Sequence, residues 1–316
     1  MDERRVKRSR ELTIIGLGPA GLSAAIYAAR AGLKPLAIGS ALGGQAALTE
    51  KIENYPGFPQ GIKGLELARL MQEQAERFGA EIEIDEVKEV TLSSPPFLVK
   101  TYGSEHEAKA LIIATGTSPR KLGVPGEAEL IGKGVSYCAT CDGFFYRDRT
   151  VAVVGGGNAA LEEALFLTKF AKRVYVIHRR HRLRADRILQ ERAFANEKME
   201  FMWDSMVTEV LGHDRVDGVA LRNVKTGEGQ GLALDGVFVA IGQTPNTGLF
   251  EGQLELDERG FIVTDRAMHT SVEGVFAAGD VQERNLQQVA TAVGTGAIAA
   301  MEAEKFIAAL EGRAYP

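Results

Sequence analysis

The sequence predicts an α/β fold with two three-layer units, each a parallel sheet covered by other elements. A strand, a glycine-rich turn and a helix follow one another near residue 16 and again near residue 155. The length of 316 residues exceeds what one core usually holds. The 36 glycines lie outside any low-complexity run, so they indicate tight turns and close backbone contacts.

The first unit opens with the short apolar run Leu12–Ile15, and an alanine-rich helix is predicted over Leu22–Arg30. Between them, Gly16 permits a tight turn, Gly18 lets a pyrophosphate approach the backbone, and Gly21 allows close packing of helix on strand. The helix N-terminus offers free N–H groups and a positive dipole end. This pattern predicts a dinucleotide site.

The same order returns in the second unit, with a strand over Thr150–Val154 and a helix predicted over Leu161–Phe170. Gly155 and Gly157 lie in the turn, and Ala160 replaces the last glycine, as the fingerprint tolerates. One such turn is weak support because many turns contain glycines, but two in one chain predict two Rossmann-like three-layer dinucleotide-binding domains.

The second cofactor is predicted to be NADPH. The strand Arg173–Ile177 ends at His178, Arg179 and Arg180, with Arg184 close behind. An acidic residue there would bind a ribose hydroxyl, whereas arginines suit a 2′-phosphate. The alternative interpretation is a solvated basic helix start.

The first cofactor is predicted to be FAD. The strand Leu36–Ile38 is followed by no acidic residue, so Ser40 or the backbone must contact the ribose. Two further strands, Leu111–Ile113 and Val275–Ala277, end in small residues, and Asp280 follows the second. Its carboxylate is expected to accept hydrogen bonds from the ribitol chain, or else it belongs to an ordinary capped turn.

The C-terminal segment is expected to return to the first unit. The chain would cross at Thr117–Pro119 and again near residues 243–246, where turn residues occur. The predicted FAD-binding domain is therefore discontinuous, over residues 1–117 and 248–316. The inserted NADPH-binding domain covers residues 118–247 and carries the cysteines.

The two cysteines of the chain, Cys138 and Cys141, stand three positions apart. Such a pair in a cytosolic chain is redox-active or accidental, since a structural staple is unusual there. Asp142 is adjacent and is expected to protonate a departing thiolate. Three alternatives stay open: a zinc site completed by His178 and His181, two inert buried cysteines, and an Asp142 that only caps a helix.

Composition restricts the remaining classes. With 37 basic and 42 acidic residues the net charge is −5, which argues against a nucleic-acid-binding surface. The first ten residues contain no apolar run, and no segment is apolar enough to span a membrane. We expect a cytoplasmic protein without a metal.

The chain resembles the bacterial low-molecular-weight thioredoxin reductases, which are class II pyridine nucleotide-disulfide oxidoreductases. Motifs found in the order of that family are Gly16-Leu-Gly-Pro-Ala-Gly21, Gly43-Gly-Gln45, Glu53-Asn-Tyr-Pro-Gly57, Cys138-Ala-Thr-Cys-Asp-Gly143, Gly155-Gly-Gly-Asn158, His178-Arg-Arg180 with Arg184, and Gly274-Val-Phe-Ala-Ala-Gly-Asp-Val281. The most specific of these is the cysteine motif inside the inserted domain.

The resemblance implies an NADPH-dependent thioredoxin-disulfide reductase that is a homodimer. Electrons would pass from NADPH through FAD and the Cys138–Cys141 disulfide to oxidised thioredoxin. Cys141 would face the flavin, Cys138 would attack thioredoxin, and Asp142 would be the acid. The residues expected at the two cofactors are Gly16, Gly18, Pro19, Ala20, Gly21, Ser40, Gly43, Gly44, Gln45, Asn54, Val87, Thr115, Gly116, Gly279, Asp280, Gln287, Gln288, Val289, Gly155, Gly157, Asn158, Ala159, His178, Arg179, Arg180, Arg184 and Gly242.

The chain departs from the family at Gln287, where many members have arginine. Two alternative functions remain. The same chemistry would serve a peroxiredoxin-reducing or glutaredoxin-like partner, or the chain would be a non-catalytic flavin and NADPH redox sensor.

Overall fold

The computed structural model describes residues 7–49, 52, 54–282 and 286–313, and for Lys7, Thr140 and Cys141 it describes the backbone alone. The chain divides into two compact units. The first contains Met1–Ser118 and Thr244–Pro316, and the second contains Pro119–Gln243. The second unit is thus one continuous insertion, and its observed end lies four residues before the expected boundary at 247.

The first unit is built from one large sheet and the helices on it. In chain order its elements are β1 (Lys7–Ile15), α1 (Pro19–Arg30), β2 (Pro35–Gly39), α2 (Gly44–Ala47), α3 (Gly64–Arg77), β3 (Glu81–Ile84), β4 (Val87–Thr91), β5 (Phe97–Thr101), β6 (Glu105–Ile113) and, at the first crossing, β7 (Thr117–Pro119).

The second unit combines a parallel and an antiparallel sheet. Its elements are β8 (Val135–Ser136), α4 (Ala139–Asp142), β9 (Thr150–Val154), α5 (Asn158–Leu167), β10 (Arg173–Ile177), α6 (Arg187–Phe194), β11 (Met199–Met202), β12 (Ser205–Gly212), β13 (Val216–Asn223), β14 (Gly229–Ala233), β15 (Gly236–Val239) and, at the second crossing, β16 (Gln243–Pro245). The first unit then resumes with β17 (Val275–Ala277) and α7 (Val289–Leu310), and 3-10 turns occur at Gly143–Tyr146, Gly248–Phe250 and Gly279–Val281.

Parallel pairing brings the strand ends of the first unit to one edge. The strand order is β3-β2-β1-β6, and β6 also pairs with β17 in parallel and with β5 in antiparallel fashion. Ile15 is level with Ile113, and Ile113 is level with Ala277. The residues after these three strands therefore meet at the carboxyl edge, where dinucleotides bind in such sheets.

The second unit repeats this arrangement with the order β11-β10-β9-β15-β8. Val154 is level with Ile177 on one side and with Val239 on the other. The antiparallel sheet β12-β13-β14 contributes Val207 and Val219 to the core on one face, while α5 and α6 pack on the other.

Both units are therefore three-layered around a parallel sheet, and the predicted α/β fold class is confirmed. Two helices differ from their expected bounds. Helix α1 begins at Pro19, three residues before the expected start at Leu22, and the helix expected over 161–170 is shifted toward the N-terminus. It runs from Asn158 to Leu167, and residues 168–170 form a turn. The Thr168 hydroxyl donates to the Leu165 carbonyl oxygen at 2.7 Å, a local bond that competes with helix continuation. Within the described residues, no helix is both long and apolar enough to cross a membrane.

Candidate active site

The first glycine turn combines two glycines required by packing with one that faces open space. A Cβ on Gly16, whose φ is +122°, would lie 2.1 Å from the Ala114 carbonyl oxygen, and one on Gly21 would lie 1.9 Å from the Gly16 oxygen. A Cβ on Gly18 would have no atom within 4 Å. Since no side chain caps α1 at Gly18, the first-turn N–H groups face this space. The turn can therefore accept a pyrophosphate.

Other segments reach the same turn. A Cβ on Gly44 would lie 3.4 Å from the Gly18 Cα, and one on Gly279 would lie 2.8 Å from the Ala20 Cβ. The Gly43 N–H donates to the Leu17 carbonyl at 2.7 Å. The structure thus brings together three of the segments expected at FAD.

The start of α7 joins a fourth segment. The Asn54 side-chain amide donates to the Gln288 Oε1 at 2.8 Å, and Gln288 forms a capping box with Thr291. Gln287 and Val289 flank this cap at the helix start. Gln287, which stands where many family members have arginine, therefore directly precedes the residue that caps α7.

Asp280 carries an unusual carboxyl group in this region. It follows β17 in a turn where the Gly279 N–H donates to the Thr295 hydroxyl at 2.9 Å. Burial raises the pKa of Asp280 to about 6, and no charged group among the described residues lowers it again. A buried acceptor of this kind fits a hydroxyl-bearing group such as a ribitol chain.

The remaining residues expected at FAD occupy different surroundings. Thr115 and Asn246 exchange two hydrogen bonds of 2.8 and 2.9 Å, and the Gly116 carbonyl accepts from the Asn246 N–H at 3.0 Å. Ser40 and Gln45 are exposed. The side chain of Val87 is buried in the core, so only its backbone is free to serve a cofactor.

The second glycine turn repeats the first. A Cβ on Gly155, whose φ is +153°, would lie 2.3 Å from the Ala240 carbonyl oxygen, whereas one on Gly157 would have no atom within 4 Å. No side chain caps α5. Asn158 instead exchanges hydrogen bonds of 2.7 and 2.8 Å with Asp186, which joins the starts of α5 and α6. Near the end of the unit, the Gly242 carbonyl oxygen accepts a hydrogen bond from the Arg120 N–H at 2.9 Å.

Exposed arginines follow β10 beside this turn. Arg179, Arg180 and Arg184 are all exposed, and the Arg184 N–H donates to the Gly156 carbonyl at 2.7 Å. These guanidinium groups form a cationic surface next to the open space at Gly157. Their donor geometry suits a phosphate monoester.

His178 lies beneath the turn. Its residue is 6% exposed, and a Cβ on Gly156 would lie 2.4 Å from its ring. One ring nitrogen is 3.1 Å from the Arg182 carbonyl oxygen, and burial lowers the pKa of His178. A neutral ring in this place supports the turn from below, while the arginines hold the charge at the surface.

The cysteine motif occupies α4 and the turn after it. Cys138 is disulfide-bonded, and the described residues contain no free cysteine. The side chain of Cys141 lies outside the described part of the chain. Asp142 stands at the cap position of the following 3-10 turn but makes no side-chain capping hydrogen bond, which weighs against a purely structural role. Among the described residues, no group of three or more side chains could hold a metal.

Two large apolar side chains follow the motif at the surface. Phe144 is 62% exposed and Phe145 is 76% exposed. Their rings are in edge contact at 6.3 Å, and the Arg147 guanidinium lies 5.4 Å from the Phe144 ring centre. An exposed aromatic pair beside a reactive disulfide is suited to contact a protein substrate.

Three residues around Cys138 were not predicted from the sequence. The Ser136 hydroxyl bonds the backbone of Cys138, and the Tyr137 hydroxyl donates to Glu127. A serine two residues before a cysteine was the only local signal, because a side-chain bond to the backbone two residues on is common for serine. The hydrogen bond between Tyr137 and Glu127 joins residues ten positions apart, so no local sequence pattern predicts it.

Comparison with known proteins gives a consistent family. The family of pyridine nucleotide-disulphide oxidoreductases matches residues 10–296. A thioredoxin reductase of Streptomyces coelicolor is 52% identical, with 97% of each chain covered, and one of Rickettsia conorii is 50% identical over 96% of this chain and 99% of its own. The crystal structure of Lactococcus lactis thioredoxin reductase is 43% identical, covers 95% of this chain and 99% of its own, and superposes with a TM-score of 0.92. The chain therefore belongs to the pyridine nucleotide-disulphide oxidoreductases and, within them, to the thioredoxin reductases.

Proposed function

We propose that the chain is an NADPH-dependent thioredoxin-disulfide reductase. Bound FAD would supply two-electron transfer between NADPH and the Cys138–Cys141 disulfide. The observation that carries this proposal is the disulfide of Cys138 in the same unit as an arginine-flanked glycine turn. Membership of the thioredoxin reductases supports the same substrate.

The first unit supplies the FAD site in this proposal. The turn at Gly18 would receive the pyrophosphate on the free N–H groups of α1, with Gly44 and Gly279 close by. Asp280 would accept a hydrogen bond from the ribitol, which relieves the cost of its burial. The backbone of Thr115–Gly116 and the start of α7 complete the set.

The second unit supplies the NADPH site. The N–H groups at the start of α5 would bind the pyrophosphate beside Gly157. Arg179, Arg180 and Arg184 would bind the 2′-phosphate, which gives NADPH its advantage over NADH. His178 would support the turn without contacting the phosphate.

The dithiol then exchanges with the substrate disulfide. The Cys138 thiolate attacks one sulfur of oxidised thioredoxin, forming a mixed disulfide and releasing a thiolate that takes a proton from Asp142. The Asp142 carboxylate then takes the proton of the Cys141 thiol, and the resulting thiolate attacks the Cys138 sulfur, releases the second thioredoxin sulfur as a thiolate and restores the disulfide. The two electrons of the dithiol thus end on the two thioredoxin sulfurs. Phe144 and Phe145 would contact thioredoxin during the exchange.

A coupled assay tests this function. The purified, FAD-loaded chain is mixed with oxidised thioredoxin and a chromogenic disulfide that reports free thiols, with NADPH or NADH as donor. We expect sustained thiol release with NADPH, dependent on thioredoxin, and slower release with NADH. Flavin reduction without thiol release would contradict the proposal and favour a redox sensor. Release with a glutaredoxin or peroxiredoxin alone would assign a different substrate.

The assembly and location proposed are a homodimer in the cytoplasm. Exposed apolar side chains on α7, including Ile298 and Met301, support association through the first unit. The two cysteines of the chain form one Cys-x-x-Cys pair, which supports location of the protein in a reducing compartment. Light scattering at several concentrations tests the dimer, and a monomer at micromolar concentration would contradict it.

A further inference from the structure

Glu127 is a buried carboxylate that the proposed mechanism does not use. It is 3% exposed. Its Oε1 accepts the Leu122 N–H at 2.7 Å and the Tyr137 hydroxyl at 2.8 Å, and its Oε2 accepts the Gly123 N–H at 2.7 Å. Three donors on one buried carboxylate fix its position and orientation.

The loop that carries Glu127 is itself held against β12. The Pro125 carbonyl accepts the Val210 N–H at 2.9 Å. Gly126 has a φ of +81°, and a Cβ there would lie 2.0 Å from the Val210 oxygen. Leu130 closes the loop in the core. Glu127 is therefore a fixed anchor and not a mobile surface group.

Tyr137 connects Glu127 to Cys138, because its hydroxyl bonds to Glu127 and it directly precedes Cys138 in the chain. Burial raises the pKa of Tyr137, and the hydrogen bond to Glu127 raises it further, so the hydroxyl stays a donor. On the preceding residue, the Ser136 hydroxyl accepts the Cys138 N–H at 3.1 Å and lies 3.3 Å from the Cys138 oxygen. Two residues therefore restrain the backbone of Cys138. Ser136 bonds to it through its hydroxyl, and Tyr137 precedes it in the chain with its own side chain bonded to Glu127.

We infer that Tyr137 is a positioning residue for the dithiol, because its hydrogen bond to Glu127 holds Cys138 in place when the disulfide is open. This inference rests on the proposed function. In each cycle the Cys138–Cys141 bond breaks and re-forms. While it is broken, the two-residue backbone between the cysteines limits how far the sulfurs can separate, and non-covalent contacts decide how closely they stay together within that limit. A more confined Cys138 closes the disulfide more readily, because the effective concentration of the partner thiol is higher.

The consequence is measurable as an equilibrium constant. A hydrogen bond to a carboxylate is stronger than one between neutral groups, and only part of it is lost when the dithiol loosens. We therefore expect Tyr137→Phe to shift the equilibrium of the pair toward the dithiol by roughly threefold to tenfold. A tenfold shift corresponds to about 30 mV for this two-electron couple.

The experiment equilibrates the FAD-loaded chain with glutathione buffers of graded composition and counts free thiols by alkylation. Tyr137→Phe should shift toward the dithiol, and Ser136→Ala, which removes the other hold on Cys138, should shift in the same direction. Tyr175→Phe is the matched control, since it removes a hydroxyl from another half-buried tyrosine of the same unit, on β10. Its equilibrium should equal that of the wild type.

A second readout excludes general damage. Reduction of ferricyanide by NADPH draws electrons from the flavin and does not need the dithiol, so it should be unchanged in all three variants. An unshifted equilibrium in Tyr137→Phe, whatever Ser136→Ala does, or an equal shift in Tyr175→Phe, would overturn the inference. Because the buffer contains no thioredoxin, this result is independent of whether thioredoxin is the substrate.

Discussion

At the scale of single residues, the two cysteines have separate tasks that neither can perform alone. Replacing Cys138 or Cys141 with serine removes the second sulfur that the exchange requires. We expect either variant to lose thioredoxin reduction while it still binds FAD. The check is turnover with thioredoxin together with the flavin absorbance of the purified protein. Turnover retained in both variants would contradict the dithiol role.

The arginines after β10 should discriminate between the two nicotinamide cofactors. Replacing Arg179 and Arg180 with alanine removes charge-assisted hydrogen bonds that only a 2′-phosphate accepts. Since each is worth about 1.5–3 kcal/mol, the KM for NADPH should rise by roughly tenfold to a hundredfold or more, and that for NADH should change little.

Steady-state kinetics with both cofactors measures this difference. Arg215→Ala is a suitable control, because that exposed arginine lies on the turn between β12 and β13. An equal rise in KM for NADPH and NADH would mean that these arginines do not bind the phosphate.

Roles that depend on a residue's neighbours in the sequence could be predicted. Roles that depend on a contact with a residue far along the chain could not. Gly16 has a positive φ in the tight turn expected there, and the arginines after β10 are exposed, while their roles at the cofactors stay predictions. The burial of His178 beneath Gly156 depends on the packing of β10 against the glycine turn, which no local pattern encodes. The pairing of Glu127 with Tyr137 has the same origin.

At the scale of elements, each strand–turn–helix unit contains at least one glycine that the packing requires and one that faces the space proposed for the ligand. Gly155→Ala would place a Cβ 2.3 Å from a backbone oxygen at a φ of +153°, so we expect a large loss of stability. Gly157→Ala meets no atom within 4 Å, so its melting temperature should be near that of the wild type. Its added methyl group would occupy the space proposed for the NADPH pyrophosphate, so its KM for NADPH should rise.

The first unit provides the parallel test, with Gly16→Ala and Gly18→Ala. Gly18→Ala should fold yet retain less FAD through purification, which flavin absorbance per chain measures. If Gly18→Ala and Gly157→Ala bind both cofactors normally, the pyrophosphates do not lie at these turns.

Helix α5 carries a buried acid with a distinctive pH dependence. Burial, with a smaller contribution from Glu162, raises the pKa of Glu163 to about 8 from 4.5, and its Oε2 has no hydrogen-bond partner among the described residues. Between these pH values the folded state holds a proton that the unfolded state lacks. The stability from this group is therefore complete below pH 4.5 and is lost as pH rises through 8.

Glu163→Gln removes this titration while it keeps the shape of the side chain. The cost of ionising Glu163 at pH 8 is on the order of 4 kcal/mol, so the variant should be more stable than the wild type there, and the difference should shrink toward pH 5. Urea unfolding at both pH values measures it, with the exposed Glu197→Gln as control. A difference that is independent of pH would show that Glu163 is not buried as an acid.

Elements with a strong local signal were predicted well. The bounds of β9 and β10 are confirmed, because continuous apolar runs end at a glycine or at charged residues. The antiparallel sheet β12–β14 was not predicted. Strands β12 and β13 alternate buried with exposed residues only in part, and β14 buries no residue, so all three depend on pairing with one another for their register.

At the scale of the whole molecule, the insertion of one unit into the other was predicted from the return of a first-unit pattern near the C-terminus. The observed crossings, at Ser118–Pro119 and Gln243–Thr244, are joined by the pairing of β7 with β16. The expected end at residue 247 was too late because Asn246 bonds back to Thr115 and Gly116 and so belongs to the first unit. Long-range hydrogen bonds such as these decide to which unit a residue belongs. Turn residues in the sequence locate the domain boundary only approximately.

The central claim is that electron pairs from NADPH reach the Cys138–Cys141 disulfide through bound FAD. Its most direct test is an anaerobic NADPH titration of the FAD-loaded chain, followed by flavin absorbance and by counting of new thiols. We expect the wild type to take up about two equivalents and to gain about two thiols, since the flavin and the disulfide each accept one electron pair. The Cys138→Ser/Cys141→Ser variant should take up about one equivalent. A wild type that stops at about one equivalent, with its flavin reduced and no new thiols, would contradict the account.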